Sequence, residues 1–310
     1  MVSHRLETTY RAGWFSLGER VVVLFPRSWL RAGAALWGKI FAWMNPKKVA
    51  VVRRNLNLLG LPREPDPVQV YAEFGRVMVD YFFAGTHSLE RAIDLVDERK
   101  GFEHLQAAQA RGHGALLISP HLSFFELGGV VMKEIGIPMV ALTNPEPTPE
   151  LTSWRADYRL RWGVKTIEVG NDHLQFVEIL KEFSAGKFVA ALFDRPHASQ
   201  SFSARVPGGL LPCSSGILLL SLLGKCPVIP VTIVVKPNNK YSLEALPPIW
   251  VERRGTSAET LQYYTQAVVD ALLPTLKKYP EQWFQFAPLD EKEHPSLSSP
   301  DSLLQSHASR

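Results

Sequence analysis

His121 and Glu126 are the two residues of this chain whose types and spacing most directly suggest chemistry. They lie in Ser119-Pro120-His121-Leu122-Ser123-Phe124-Phe125-Glu126, directly after the apolar run Ala115–Ile118. An imidazole can take a proton from a hydroxyl near neutral pH, and a carboxylate beside it fixes its tautomer and stabilises the imidazolium that forms. At this spacing the two residues would lie well apart around one continuous helix. The pair is better served by His121 in a strand-to-helix turn and Glu126 in the first helical turns, and Pro120 stiffens such a turn. A structural reading competes. Ser123-Phe124-Phe125-Glu126 has the form of a capping box, with Ser123 capping a helix and Glu126 reaching back to the Ser123 amide. The two roles of Glu126 are compatible, and His121 beside Phe124 and Phe125 also suits a half-buried structural imidazole.

Three further segments stand in order with this one: Val51-Val52-Arg53-Arg54-Asn55-Leu56, Leu192-Phe193-Asp194-Arg195 and Pro280-Glu281-Gln282-Trp283. Together the four resemble the bacterial lipid A late acyltransferase and lysophospholipid acyltransferase-like family of His-x4-Asp/Glu acyltransferases, from about Leu24 to Phe286. A lone His-x4-Glu is common by chance; four motifs in order are not. The resemblance implies an acyl thioester donor, either acyl carrier protein or coenzyme A, and a hydroxyl of a lipid as acceptor. His121 would be the base and Glu126 its orienting acid. With an activated donor, no metal, cofactor or covalent acyl-enzyme is required beyond the thioester co-substrate.

The same match suggests substrate-binding residues. Asp194 would lie in the active cleft, holding an acceptor hydroxyl or an arginine, with Arg195 available to a phosphate or phosphopantetheine. A strand-end cap with a solvated arginine is the alternative. Tyr158-Arg159-Leu160-Arg161-Trp162-Gly163 resembles the family's Arg-rich helix end, which makes Arg161 the first candidate for an acceptor phosphate and Arg159 the second. Helix-end arginines favouring the macrodipole are the plainer reading. Arg205–Gly216 brings Gly208 and Gly209 before an apolar helix, where loop amides, or else a positive side chain, could stabilise an oxyanion. Phe124, Phe125, Leu127 and the Trp-bearing N-terminal arm are candidates for part of an acyl groove. One departure stands out. The lipid A enzymes usually follow Pro-Glu-Gln-Trp with a His-Arg-Arg type sequence, whereas this chain has Phe284-Gln285-Phe286, which favours a less charged acceptor.

Composition adds a membrane signal. The chain of 310 residues has a formal net charge of +4 and 46% hydrophobic residues. Residues 1–63 hold eleven Lys/Arg against Glu7 and Glu19, a balance of +9, so the rest of the chain carries −5. Trp14, Trp29, Trp37 and Trp43 fall in this segment too, and basic charge interleaved with tryptophan suits an anionic membrane interface. No charge-free stretch there approaches the roughly twenty apolar residues of a membrane span, and Glu19, Arg20 and Arg27 interrupt any signal-peptide core. Trp29, Gly33, Trp37, Phe41 and Met44 recur at helical spacing as one face, which either meets lipid or packs on the protein body. No nucleic-acid motif accompanies the charge, so nucleic acid is not an expected partner. Cys213 and Cys226 form no disulfide framework or zinc spacing.

Along the chain, short apolar runs alternate with helical patterns. Strands are expected near Ala115–Ser119, Met139–Thr143, Lys165–Val169, Phe188–Phe193, Val228–Val235 and Tyr241–Ala245. Helices are expected near Val68–Phe83, Glu103–Ala110, Ser123–Ile135, Pro149–Trp162, His173–Ser184, Ser215–Leu223 and Ala258–Lys278. This is an α/β fold with a largely parallel sheet flanked by helices. The expected organisation is a basic, Trp-rich interfacial arm over 1–63, an acyltransferase domain over 64–289 and a disordered tail over 290–310. The reading that emerges is a peripheral O-acyltransferase at the cytoplasmic face of a bacterial inner membrane. A lipid hydrolase or thioesterase, or a non-catalytic membrane-binding protein of the same fold, are the rivals. No Gly-x-Ser-x-Gly elbow marks a serine mechanism.

Overall fold

The computed structural model describes residues 12–169, 174–195 and 201–289; the expected tail and the start of the basic arm lie outside them. A seven-stranded sheet carries the architecture, in the order β1-β9-β8-β2-β5-β3-β4. The strands are β1 (Val96–Lys100), β2 (Leu116–Ser119), β3 (Met139–Thr143), β4 (Lys165–Glu168), β5 (Phe188–Leu192), β8 (Val228–Val235) and β9 (Tyr241–Ala245). Every neighbouring pair is parallel except the β8–β9 hairpin. Central β2 is buried along its whole length. Its Leu-Leu-Ile run therefore lacks the polar alternation of a half-exposed strand.

Helices cover both faces of this sheet: α1 (Ala12–Leu24), α2 (Arg27–Met44), α3 (Pro46–Asn57), α4 (Pro67–Thr86), α5 (Leu89–Ile93), α6 (Phe102–Ala110), α7 (Leu127–Glu134), α8 (Pro149–Arg161), α9 (Leu174–Ser184), α10 (Leu218–Gly224) and α11 (Ser257–Lys278). Two parts of this plan depart from the sequence reading. Edge strand β1 is Val-Asp-Glu-Arg-Lys, and its mostly exposed side chains carry no apolar run to signal a strand. The Gly/Ser-rich stretch read as a loop is the antiparallel pair β6 (Ser201–Val206) and β7 (Gly209–Ser214).

The N-terminal helices are bound closely to the body. Helix α2 lays its small face (Ala35, Gly38, Ala42) against α4. A Cβ on Gly38 would sit 2.3 Å from the Tyr71 carbonyl oxygen, and one on Gly75 would sit 2.4 Å from that of Ala34. Arg27 and Arg31 both reach buried Asp80 on α4, which also accepts from the Tyr241 hydroxyl at 2.5 Å. One carboxylate thus ties α2, α4 and β9 together. Leaving such a group unpaired is costly. With the small residues facing inward, the large ones face out. Trp29, Leu36, Trp37 and Trp43 are between 61% and 83% exposed. Of the face expected from spacing, Phe41 packs inward against Tyr71, while the tryptophans stand clear of the body.

The close crossing gives a test. Gly38→Val should destabilise the protein by ~1–3 kcal/mol, because backbone must move to admit the side chain. Gly33→Val on the same helix meets nothing within 4 Å. Denaturant midpoints of the two variants should therefore separate clearly, with the Gly33 variant close to wild type.

Candidate active site

Strands β2 and β5 lie side by side in parallel, with Ser119 opposite Leu192. Two residues beyond that register point, the chains present His121 and Asp194. The contact is direct. His121 Nδ1 lies 2.6 Å from Asp194 Oδ1, and the His121 backbone amide donates to the same carboxylate at 2.9 Å. The Trp283 indole donates to Asp194 Oδ2 at 2.7 Å. Asp194 is 2% exposed. Burial pushes its carboxyl upward, but His121 and Trp283 outweigh that and hold it well below the usual carboxylate range.

This geometry corrects the expected partnership. Among the described residues, no hydrogen bond joins Glu126 to His121. The carboxylate bonded to the imidazole is Asp194, which takes Nδ1 and leaves Nε2. Glu126 instead pairs with Arg159 at 2.8 Å and lies 3.7 Å from Arg155. Burial raises its carboxyl, yet the two arginines more than offset this and keep it ionised. The capping box does not form either. Ser123 has φ +48°, its amide donates to the Gln282 carbonyl at 2.8 Å, and α7 starts only at Leu127. The turn is held from outside by the strap of residues 280–286, so it has no need of a local cap.

That strap is what the sequence reading left without a role at the site. Phe284 N donates to the His121 carbonyl at 2.8 Å, and Leu122 bridges Trp283. Gln285 donates to the Asp194 carbonyl at 3.0 Å, and Arg195 donates to the Phe284 carbonyl at 2.6 Å and to Gln285 Oε1 at 3.2 Å. Asn55 in turn donates to the carbonyls of Gln285 and Ala287 at 3.0 and 2.7 Å. All four sequence motifs thus converge on one turn. Trp283 and Gln285 both bond Asp194, and a polar-aromatic cluster just past a long helix could have signalled them.

His121, Glu126, Arg155, Arg159 and Arg195 line one cleft of about 600 Å³. Its deeper wall is apolar, including Leu117, Gly128, Gly129, Met132 and Ile233, and Phe284 and Phe286 flank it. Of the expected groove residues only Phe125 is there; Phe124 and Leu127 are buried at 2% and 0% exposure. Helix α8 brings Arg159, ranked second from the sequence, into the cleft and not the first-ranked Arg161. Arg155 and Arg159, four residues apart, share the face toward Glu126. Arg161 points elsewhere, donating to Glu19 at 2.9 Å and to the Gly85 carbonyl at 2.5 Å. Gly208 and Gly209 also lie away from the cleft, at the β6–β7 turn. The Gly208 amide already donates to the Leu58 carbonyl at 3.0 Å, and Gly209 pairs with Val206.

The family model described as bacterial lipid A biosynthesis acyltransferase matches residues 3–289. The chain belongs to that family. No curated relative matches the chain. Membership accounts for the converging motifs, and the family's acyl transfer is chemistry that a strand-end histidine with a bound carboxylate can serve. No helix among the described residues of this family member is long and apolar enough to cross a membrane.

The electrostatics keep the His121 imidazole neutral, and so able to accept a proton, at neutral pH. Burial lowers its pKa below the ordinary value of 6.5, Asp194 opposes this, and the charges of Arg195 and Arg155 add to the lowering. Protonated imidazole cannot accept a proton. The turnover should therefore be flat across neutral pH and fall only on acidification, with a midpoint below 6.5. A pH–rate profile of kcat/KM reads this ionisation in the free protein. An acid limb centred above that value would contradict the assignment.

Proposed function

We propose that this acyltransferase moves a fatty acyl chain from an acyl thioester to a hydroxyl of a lipid acceptor, with His121 as general base. The observation that carries the proposal is the 2.6 Å contact between His121 Nδ1 and buried Asp194, which leaves Nε2 toward a cleft with an apolar interior. Nε2 takes the hydroxyl proton as the acceptor oxygen attacks the thioester carbonyl. The tetrahedral intermediate collapses by breaking the C–S bond, and the thiol leaves with the proton that His121 returns. Asp194 fixes the tautomer and stabilises the imidazolium. Arg195, whose charge reaches His121, supplies the positive charge that stabilises the oxyanion. Arg159 and Arg155, with Glu126 between them, hold the polar part of the acceptor at the cleft mouth. The donor is acyl carrier protein or coenzyme A, and no metal takes part. Phe284 and Phe286, stacked with ring centroids 6.2 Å apart, favour an acceptor less charged than a diphosphorylated lipid A precursor.

The exposed tryptophan ridge of α2 supports attachment to the membrane from which the acceptor comes. This is peripheral binding at the cytoplasmic face of a bacterial inner membrane. Replacing Trp29, Trp37 and Trp43 together by Ser should abolish sedimentation with lipid vesicles while leaving the melting temperature unchanged. These side chains make little packing contact to lose. Deleting the whole arm would be a poorer test, since it also strips the partners of Asp80.

Mass spectrometry of total lipids from cells expressing wild type or His121→Ala tests the function. A lipid heavier by one acyl chain, present only with wild type, establishes the transfer and names the acceptor. Identical profiles from well-expressed, folded proteins supplied with an acyl donor and candidate acceptors would refute it.

A further inference from the structure

A second pocket, of about 420 Å³, lies at the turn between α1 and α2 and shares no residue with the cleft. Its cations come from three separate segments, Arg27 on α2, Arg91 on α5 and Lys240 ahead of β9, and the His87 ring at the end of α4 lines it too. Asp94 is the opposing carboxylate in its lining. Arg27 is largely committed, to Asp80 at 2.6 Å and to the Asn239 carbonyl at 2.9 Å. Arg91 and Lys240 are not paired with a carboxylate among the described residues. The Arg91 guanidinium lies 5.8 Å from the Phe83 ring centre, and Lys240 Nζ donates to the Asp94 backbone carbonyl. His87 has Nδ1 tied to the Phe83 carbonyl at 2.8 Å, which leaves Nε2 over. A concave site with an excess of guanidinium and ammonium groups is built for an anion, and phosphate suits both donor types.

The rim says which phosphate. Val23 and Phe25 line the pocket and are 57% and 52% exposed. Leu24, Trp29 and Trp37, close by in the sequence, are exposed as well. Free phosphate has no use for such a rim. We propose that this pocket binds the phosphate of an anionic membrane phospholipid, whose acyl chains lie along the aromatic ridge. The lipid would act as an anchor, distinct from donor and acceptor. The inference rests on the membrane attachment proposed above and gives it a specific contact.

Diffuse attraction of basic residues to an anionic surface also binds vesicles, so vesicle binding alone cannot isolate a pocket. The discriminating probe is dihexanoyl phosphatidylglycerol below its micelle concentration, titrated into the full chain and followed by calorimetry. Saturable one-to-one binding is expected for wild type and for Lys47→Ala/Lys48→Ala. It should weaken at least tenfold in Arg91→Ala/Lys240→Ala and recover in Arg91→Lys/Lys240→Arg. No saturable binding by wild type, or equal weakening by the two alanine pairs, would overturn the site. So would glycerol 3-phosphate binding as tightly as the lipid. Sedimentation of wild type with phosphatidylcholine vesicles separately reads membrane attachment, so failure of that reading and failure of the pocket are distinguishable.

Discussion

His121→Ala should lower acyl-transfer turnover by a factor on the order of 10²–10⁴, the range that a positioned general base supplies. The fold should survive the change. Asp194 would lose the imidazole but keep the His121 backbone amide and the Trp283 indole as donors, so its buried charge would not be stranded. The loss should fall on kcat with KM for the acceptor little changed, since the proton transfer takes place in the transition state. Rates in matched acceptor and donor, beside a thermal melt, read both. A loss below about threefold in a folded variant would remove His121 from the chemistry.

Asp194→Asn should be at least as damaging to turnover, and it should also cost stability. The carboxylate accepts from the His121 ring, the His121 amide and the Trp283 indole. An amide offers one acceptor oxygen, and its NH₂ group would face one of those donors instead. The imidazole would be free to adopt the tautomer that cannot accept a proton at Nε2. A loss of about 10² or more in kcat is expected by analogy with the triad carboxylates of serine hydrolases. Removing a buried, multiply bonded charge partner should lower stability by about 3–5 kcal/mol. Trp283→Phe removes only one donor, and should cost ~1 kcal/mol with a smaller fall in rate.

What the sequence made legible follows what local pattern can carry. β3, β8 and β9 stand where apolar runs placed them, and His121 and Asp194 were each placed at the mouth of a buried strand. Their pairing was not legible, because β2 and β5 are neighbours only after two intervening βα units have been laid on the far side of β5. Adjacency of strands is decided by tertiary packing and leaves no mark at the spacing of single residues. Glu126, five positions from His121, was the nearer partner in sequence. The extra turn of chain at Ser123, stabilised by the distant Gln282 carbonyl, is what carries it toward α8 and its arginines. The arm shows the same limit. Its tryptophan face was visible in the periodicity, but only the close crossing of α2 and α4 at Gly38 and Gly75 shows why the large residues are outside.

The turnover of Glu126→Gln and Asp194→Asn, measured side by side at saturating acceptor and donor, is the most direct test. Asp194→Asn is expected to lose 10² or more in kcat. Glu126→Gln is expected to stay within about tenfold of wild type and to act mainly on KM for the acceptor, through Arg159 and Arg155. If folded Glu126→Gln loses as much kcat as Asp194→Asn or more, the base is oriented by Glu126 during the reaction, and the His121–Asp194 pairing is not the catalytic one.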